Sequence, residues 1–267
     1  TATLVTTNLA GGFAHRTLFE RLDVTVAPGD VIGVVGSNGA GKSTLLRILA
    51  GELAPLDGTV SLAPADAFVG WLPQEHERVP GETVAAYVAR RTGCAAATRA
   101  MDAAAEALAD EAADTDAYSA ALDHWLATGA ADLDERLPAV LADLGLDSDA
   151  VRPESTLMTA LSGGQAARVG LAALMLSRFD IVLLDEPSAS LDEHTEREFI
   201  QRLNQWLGNR TLIVATHRVP VLELVERVVV LKEGQLVMDA PKAQALNASR
   251  APAPTHGREW KNENQSA

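Results

Sequence analysis

Lysine, serine and glycine at fixed spacing are the first chemistry visible in this chain. The run Gly36-Ser37-Asn38-Gly39-Ala40-Gly41-Lys42-Ser43-Thr44 fits the phosphate-loop pattern G-x-x-x-x-G-K-[ST]. Glycines let backbone N–H groups turn inward around an anion, and a helix starting there adds the positive end of its dipole. Lys42 is long enough to reach the β- and γ-phosphates of a nucleotide, and the Ser43 hydroxyl is a hard oxygen suited to Mg²⁺. Val31–Val35 before the loop is an unbroken apolar run of the kind a buried parallel strand needs. Leu45–Ala50 after it is a helical run closed by Gly51. A glycine-rich turn in an ordinary α/β protein is the competing reading, and the paired strand and helix weigh against it.

Further polar residues stand at the ends of apolar runs. Ile181-Val182-Leu183-Leu184 leads into Asp185-Glu186-Pro187, and Leu212-Ile213-Val214-Ala215-Thr216 leads into His217. Between the phosphate loop and these strands lies Leu161-Ser162-Gly163-Gly164-Gln165, followed by an amphipathic helical run over Ala166–Arg178. LSGGQ followed by an apolar strand and Asp-Glu resembles the ATP-binding cassette (ABC) ATPases. The resemblance covers residues 3–247 and keeps the family's motifs in their order.

That resemblance implies an α/β phosphate-loop NTPase fold, with a mainly parallel core sheet, an antiparallel β-subdomain and an α-helical lobe. It implies one nucleotide-binding domain over 1–247, with 1–74 and 179–247 as the ATP-binding core and 75–178 as a helical lobe with an extended insertion. ATP and Mg²⁺ are the implied ligands. Lys42 and the loop Gly36–Thr44 would hold the phosphates, with Ser43, Gln74 and (through water) Asp185 around Mg²⁺. Glu186 would polarise the attacking water as general base, and His217 would contact the γ-phosphate. Phosphoryl transfer needs such positioning and charge stabilisation more than covalent chemistry. Phe13 lines up with the aromatic that stacks on adenine, although a strand-edge core residue would read alike. Leu161, Ser162, Gly163, Gly164 and Gln165 would complete the phosphate pocket of the opposite subunit, and Asp192 would bridge the two sites. One phosphate loop and one signature then imply a homodimer, or a heterodimer with a second cassette.

The elements that must position these groups are legible in part. Thr3–Thr7 and Leu22–Val26 read as strands, the second turned by Pro28-Gly29-Asp30, and Phe68–Gln74 reads as a strand running into a loop. Val228–Leu231 and Gln235–Met238 read as two more, around Lys232-Glu233-Gly234. Thr83–Arg91, Thr98–Ala113, Asp116–Leu126 and Leu133–Leu144 are candidate helices, spaced by Gly93, Gly129 and Gly145. The acids Asp102, Glu106, Asp110, Glu111, Asp114 and Asp116 within 95–127 suit a solvated helix face, or an arm that meets a partner. The tail 248–267 is rich in Pro, Asn, Ser and charge and reads as disordered. His15, His76, His124, His194 and His256 have no comparable context and read as surface residues.

Composition narrows the partners. A formal net charge of −14 argues against a broad nucleic-acid contact, so no direct nucleic-acid specificity is expected. The single cysteine, Cys94, excludes an intrachain disulfide and suits a cytoplasmic setting. No apolar run reaches the ~20 residues that span a bilayer, and Thr1–Val5 lacks the charged start of a signal peptide. A cytoplasmic protein, peripheral at the inner face of the membrane if a membrane-domain chain is its partner, fits these limits. A ribosome is the alternative partner. The stretches Trp71–Glu75, Tyr118–Leu126 and Leu161–Arg168 resemble the ribosome-acting ABC-F group, whereas Asn209–Arg218 and Leu224–Leu231 resemble type I secretion exporters. Asn and Gln are confined to four positions before Glu186 and appear at ten after it. A recombinant joint near the catalytic strand and a natural outlier both account for that shift.

Overall fold

The computed structural model describes residues 2–13, 15–73, 79–108, 115–146, 149 and 151–245. Nine strands and eight α-helices among them organise around two sheets. The strands are β1 (Thr3–Phe13), β2 (Arg16–Val26), β3 (Val31–Gly36), β4 (Asp57–Ala63), β5 (Val69–Leu72), β6 (Ile181–Asp185), β7 (Thr211–Ala215), β8 (Arg227–Lys232) and β9 (Gln235–Pro241). The helices are α1 (Lys42–Leu49), α2 (Val84–Arg91), α3 (Cys94–Ala107), α4 (Thr115–Thr128), α5 (Leu133–Asp143), α6 (Gly163–Leu176), α7 (Glu193–Leu207) and α8 (Val219–Glu223).

The larger sheet has the order β5-β6-β7-β3-β8-β9 and is parallel except for β9, which runs antiparallel to β8. The smaller is the antiparallel sheet β2-β1-β4. Every residue of β6 and β7 is buried, as expected of central strands covered on both faces. Period-two alternation sends their side chains into two separate cores. Ile181, Leu183, Ile213 and Ala215 face the smaller sheet and pack with Leu45, Leu46 and Ile48 of α1. Val182, Leu184, Leu212 and Val214 face the other way and pack with α2, α5, α6 and α7 through residues such as Tyr87, Leu137, Val169 and Leu203.

The candidate helices after residue 83 appear with shifted ends. Thr83 caps α2 by accepting from the Ala86 N–H at 3.2 Å. The helix expected from Thr98 starts four residues earlier, at Cys94, because Gly93 takes a left-handed conformation (φ 82°) at its cap. The helix expected from Ala166 starts inside the signature, at Gly163. Paired with α4, α3 buries only Cys94 and Ala97, and the Trp125 indole donates to the Thr98 hydroxyl at 3.0 Å across the pair. His124 is solvent-exposed, but its ring stacks on Phe68 with centroids 5.5 Å apart. Gln74, the acids Asp110, Glu111 and Asp114, His76 and the tail 248–267 with His256 lie outside the described residues.

Candidate functional site

The phosphate loop leaves β3 at Gly36 and enters α1 at Lys42. Gly41 at the helix cap has φ 93°, where a side chain would be strained and a Cβ would also meet the Phe19 ring at 2.9 Å. Lys42 is buried, and its ammonium donates to the carbonyls of Gly36 and Ser37 at 3.0 and 3.3 Å. The lysine is thus folded back over its own loop.

Two strands bring the carboxylates and the histidine to the same edge. The Asp185 carboxyl, at the end of β6, is 3 % exposed, and its Oδ1 has no hydrogen-bond partner among the described residues. Burial raises the Asp185 carboxyl above the usual carboxylate range; Glu186 adds to the rise, while Ser43 and Lys42 oppose it. Glu186 turns the chain with φ 43°, a left-handed conformation that a non-glycine residue adopts only where its surroundings enforce it. Its backbone N–H donates to Ala215 of β7 at 2.8 Å. Its carboxylate accepts from the Thr216 hydroxyl at 3.1 Å through Oε2 and meets His217 Nδ1 at 2.8 Å through Oε1.

These groups line one cavity of about 540 Å³, bounded by Phe13, Arg16, Leu18, the loop, Asp185, Glu186 and His217. Phe13, the last residue of β1, is 55 % exposed, which removes the reading of a core residue. The structure therefore brings together Phe13, Asn38, Gly39, Gly41, Lys42, Ser43, Thr44, Asp185, Glu186 and His217 of the residues singled out from sequence. Arg16, Leu18 and Thr216 were not singled out. The pairing of Phe13 with Arg16 across the β1–β2 hairpin places both at the cavity mouth.

The signature stands apart from this cavity. Ser162 caps α6 through a reciprocal box, its hydroxyl accepting from the Gln165 N–H at 3.2 Å and the Gln165 side chain accepting from the Ser162 N–H at 2.9 Å. Among the described residues, a Cβ on Gly164 would meet nothing within 4 Å, and one on Gly163 only Ser190 at 3.9 Å. Packing among the described residues gives no reason for glycine at either position. Asp192 caps α7, accepting from the N–H groups of His194 and Thr195 at 3.1 Å and from the Thr195 hydroxyl at 2.7 Å.

A buried carboxylate with an orphan oxygen, beside a serine hydroxyl, is a donor set suited to Mg²⁺, which takes few protein ligands and shares the rest with water and phosphate. Among the described residues no cluster of three or more His, Cys, Asp or Glu side chains forms a protein-only metal cage.

A family model described as ABC transporter matches residues 19–189. The tylosin resistance ATP-binding protein TlrC of Streptomyces fradiae is 34 % identical over 212 residues, which is 77 % of this chain and 38 % of that protein. The hemin import ATP-binding protein HmuV of Rhodopseudomonas palustris is 31 % identical over 245 residues, 86 % of this chain and 79 % of that one. The chain spans less than two fifths of the length of TlrC and of a putative ABC transporter ATP-binding protein of Streptomyces avermitilis. Among solved structures, MJ0796, a bacterial ABC transporter cassette in dimeric form, superposes with a TM-score of 0.67 at 20 % identity, covering 89 % of this chain and 98 % of that one. The mixed α/β architecture is that of these cassettes.

Proposed function

The chain belongs to the ABC transporter family, and we propose on that premise that it binds Mg-ATP beside Lys42 and hydrolyses it as one half of a two-cassette sandwich. The observation that carries this reading is Glu186. A carboxylate held at φ 43° and fixed by both Thr216 and His217 opens onto the cavity that contains the phosphate loop.

Each group then has a task. Loop amides and Lys42 bind the β- and γ-phosphates, and the ammonium rests on the Gly36 and Ser37 carbonyls until they arrive. Ser43 and Asp185, with Gln74, would hold Mg²⁺, which supplies charge neutralisation on the phosphates when bound. Glu186 takes a proton from the attacking water, and its burial to 8 % exposure excludes bulk water from competing for it. The His217 imidazole, joined to Glu186 through Nδ1, leaves its other nitrogen for the γ-phosphate. Phe13 offers a π-face to adenine. Residues 1–74 and 179–247 act as the ATP-binding core and 75–178 as the helical lobe.

The open glycines at 163 and 164 support a partner-facing signature, since a second cassette's phosphate can approach backbone N–H groups at a helix start only where no Cβ intervenes. A copy of this chain or a related cassette fills that role, with Asp192 at the seam. Curated relatives named as import ATP-binding proteins favour a membrane-domain chain as the coupled partner over a ribosome. No described helix is long and apolar enough to cross a membrane, so such a span would come from elsewhere. A place at the inner face of the membrane follows from that coupling.

Calorimetric titration and phosphate release test the site together. Lys42→Ala should abolish ATP binding. Glu186→Gln should keep binding and lose turnover by about 10²–10⁴-fold, the contribution of a positioned base. Unchanged affinity in the first variant, or parental turnover in the second, would remove the assignment.

A further inference from the structure

Behind the cavity, Glu196 is a carboxylate with no place in the reaction just described, yet it is only 5 % exposed. It lies in the first turn of α7, and its Oε1 accepts from the Ser188 hydroxyl at 2.5 Å and pairs with the Arg218 guanidinium at 3.0 Å. Arg218 also donates from Nη2 to the Ala189 carbonyl at 3.2 Å, and its backbone N–H donates to the Thr216 hydroxyl oxygen at 3.1 Å. That same hydroxyl donates to Glu186. The ring closes through the Ala189 N–H, which donates to the Glu186 carbonyl at 3.0 Å.

Taking the Glu196 carboxylate out of water costs free energy that its pairing with Arg218, whose side chain keeps 30 % of its surface exposed, only offsets, so the pair is a poor way to gain stability. Apolar side chains at 196 and 218 could fill the same volume. A guanidinium fork supplies what they could not: simultaneous, directed contacts with α7 and with the loop after Glu186. We infer that Arg218, held by Glu196, which Ser188 in turn anchors, is a positioning residue that fixes Glu186 and His217 relative to the Ser188–Asp192 loop. The inference rests on the ATPase reading of the site. A displacement of that loop draws on Ala189 and Ser188, both bonded into the Arg218–Glu196 pair. Arg218 is the chain neighbour of His217 and touches Thr216, and both of those end on the Glu186 carboxylate. The arrangement of the loop that carries Asp192 is thereby coupled to the aim of the base.

Arg218→Lys keeps the charge but cannot span Glu196 and the Ala189 carbonyl together, and Ser188→Ala removes one hydroxyl while leaving the ion pair. Steady-state Mg-ATPase kinetics and thermal midpoints of these two variants, of Glu196→Gln and of the double variant Glu196→Gln/Arg218→Lys test the idea. We expect kcat to fall about tenfold in Arg218→Lys with KM within about twofold, since misaimed groups lower turnover without loosening the substrate. Ser188→Ala should lose less, and the double variant should be no slower than the worse single one, because one device is being broken. A lowered midpoint with parental kcat per folded molecule would overturn the inference and leave a merely structural ion pair. Additive losses would overturn it as well. Wild-type protein without Mg-ATPase activity would instead overturn the reading of the site, and the inference with it.

Discussion

At the scale of single residues, burial and chemistry pull in opposite directions at Asp185. Its carboxyl is pushed up by desolvation, and one oxygen lacks a partner among the described residues, so the ionised form is a net cost to the fold near neutral pH. A carboxyl raised in the folded state gives stability that is complete below its ordinary value and lost as pH rises through the raised one. Removing the charge should therefore help the empty protein. We expect Asp185→Asn to raise the thermal midpoint of the nucleotide-free chain by a few degrees and to lose the added stabilisation that Mg-ATP gives the parent; scanning calorimetry with and without Mg-ATP reads both. Parental midpoint and parental Mg-ATP stabilisation together would show that Asp185 neither costs the fold nor serves the site. The identities of Asp185 and Glu186 were legible from the strand they end. The aim of Glu186 was not, because a positive φ and a threonine partner thirty residues away leave no local mark.

At the scale of elements, strong apolar runs and cap residues declared themselves, and the far end of β1 did not. Thr3–Thr7 reads as a strand, yet β1 continues to Phe13, with bulges in its pairing between Thr6 and Gly12. Gly11 is there because the Phe19 ring fills the space a Cβ would take (2.3 Å), and Gly12 because the Arg16 carbonyl does (2.2 Å). Close approach of a neighbouring strand looks the same as a turn in one dimension. β4 went unread because its alternation only half-buries Gly58, Val60 and Leu62. α7 went unread because its apolar stripe is narrow, built on Phe199, Leu203 and Leu207 within a polar sequence, although Asp192 at its cap was a usable signal. The Thr195 hydroxyl and backbone hold the Asp192 carboxyl below the usual carboxylate range. Its stabilising effect is thus present above the ordinary aspartate value and lost as pH falls through the lowered one. Asp192→Ala should lower the midpoint by a few degrees at neutral pH, the difference from the parent shrinking below about pH 4. Asp192→Asn should keep the cap and most of the stability. An alanine variant as stable as the parent would contradict the capping account.

At the scale of the whole molecule, the chain holds half of each proposed site. Phosphate loop, carboxylates and histidine share one cavity, while Ser162–Gly164 lie outside its lining, with room beside the glycines among the described residues. The order of motifs made both halves legible; nothing in one sequence shows what the signature faces. Ligand can drive association only by its differential affinity for the separated and paired states. ATP has that difference, because its γ-phosphate would touch both cassettes, and ADP lacks it. Light scattering of Glu186→Gln with ATP and with ADP is the most direct measurement. The account predicts twice the chain mass with Mg-ATP, the single-chain mass with ADP, and loss of the ATP-bound dimer on adding Ser162→Arg to a chain that stays folded. A single-chain mass under both nucleotides would contradict the homodimeric sandwich.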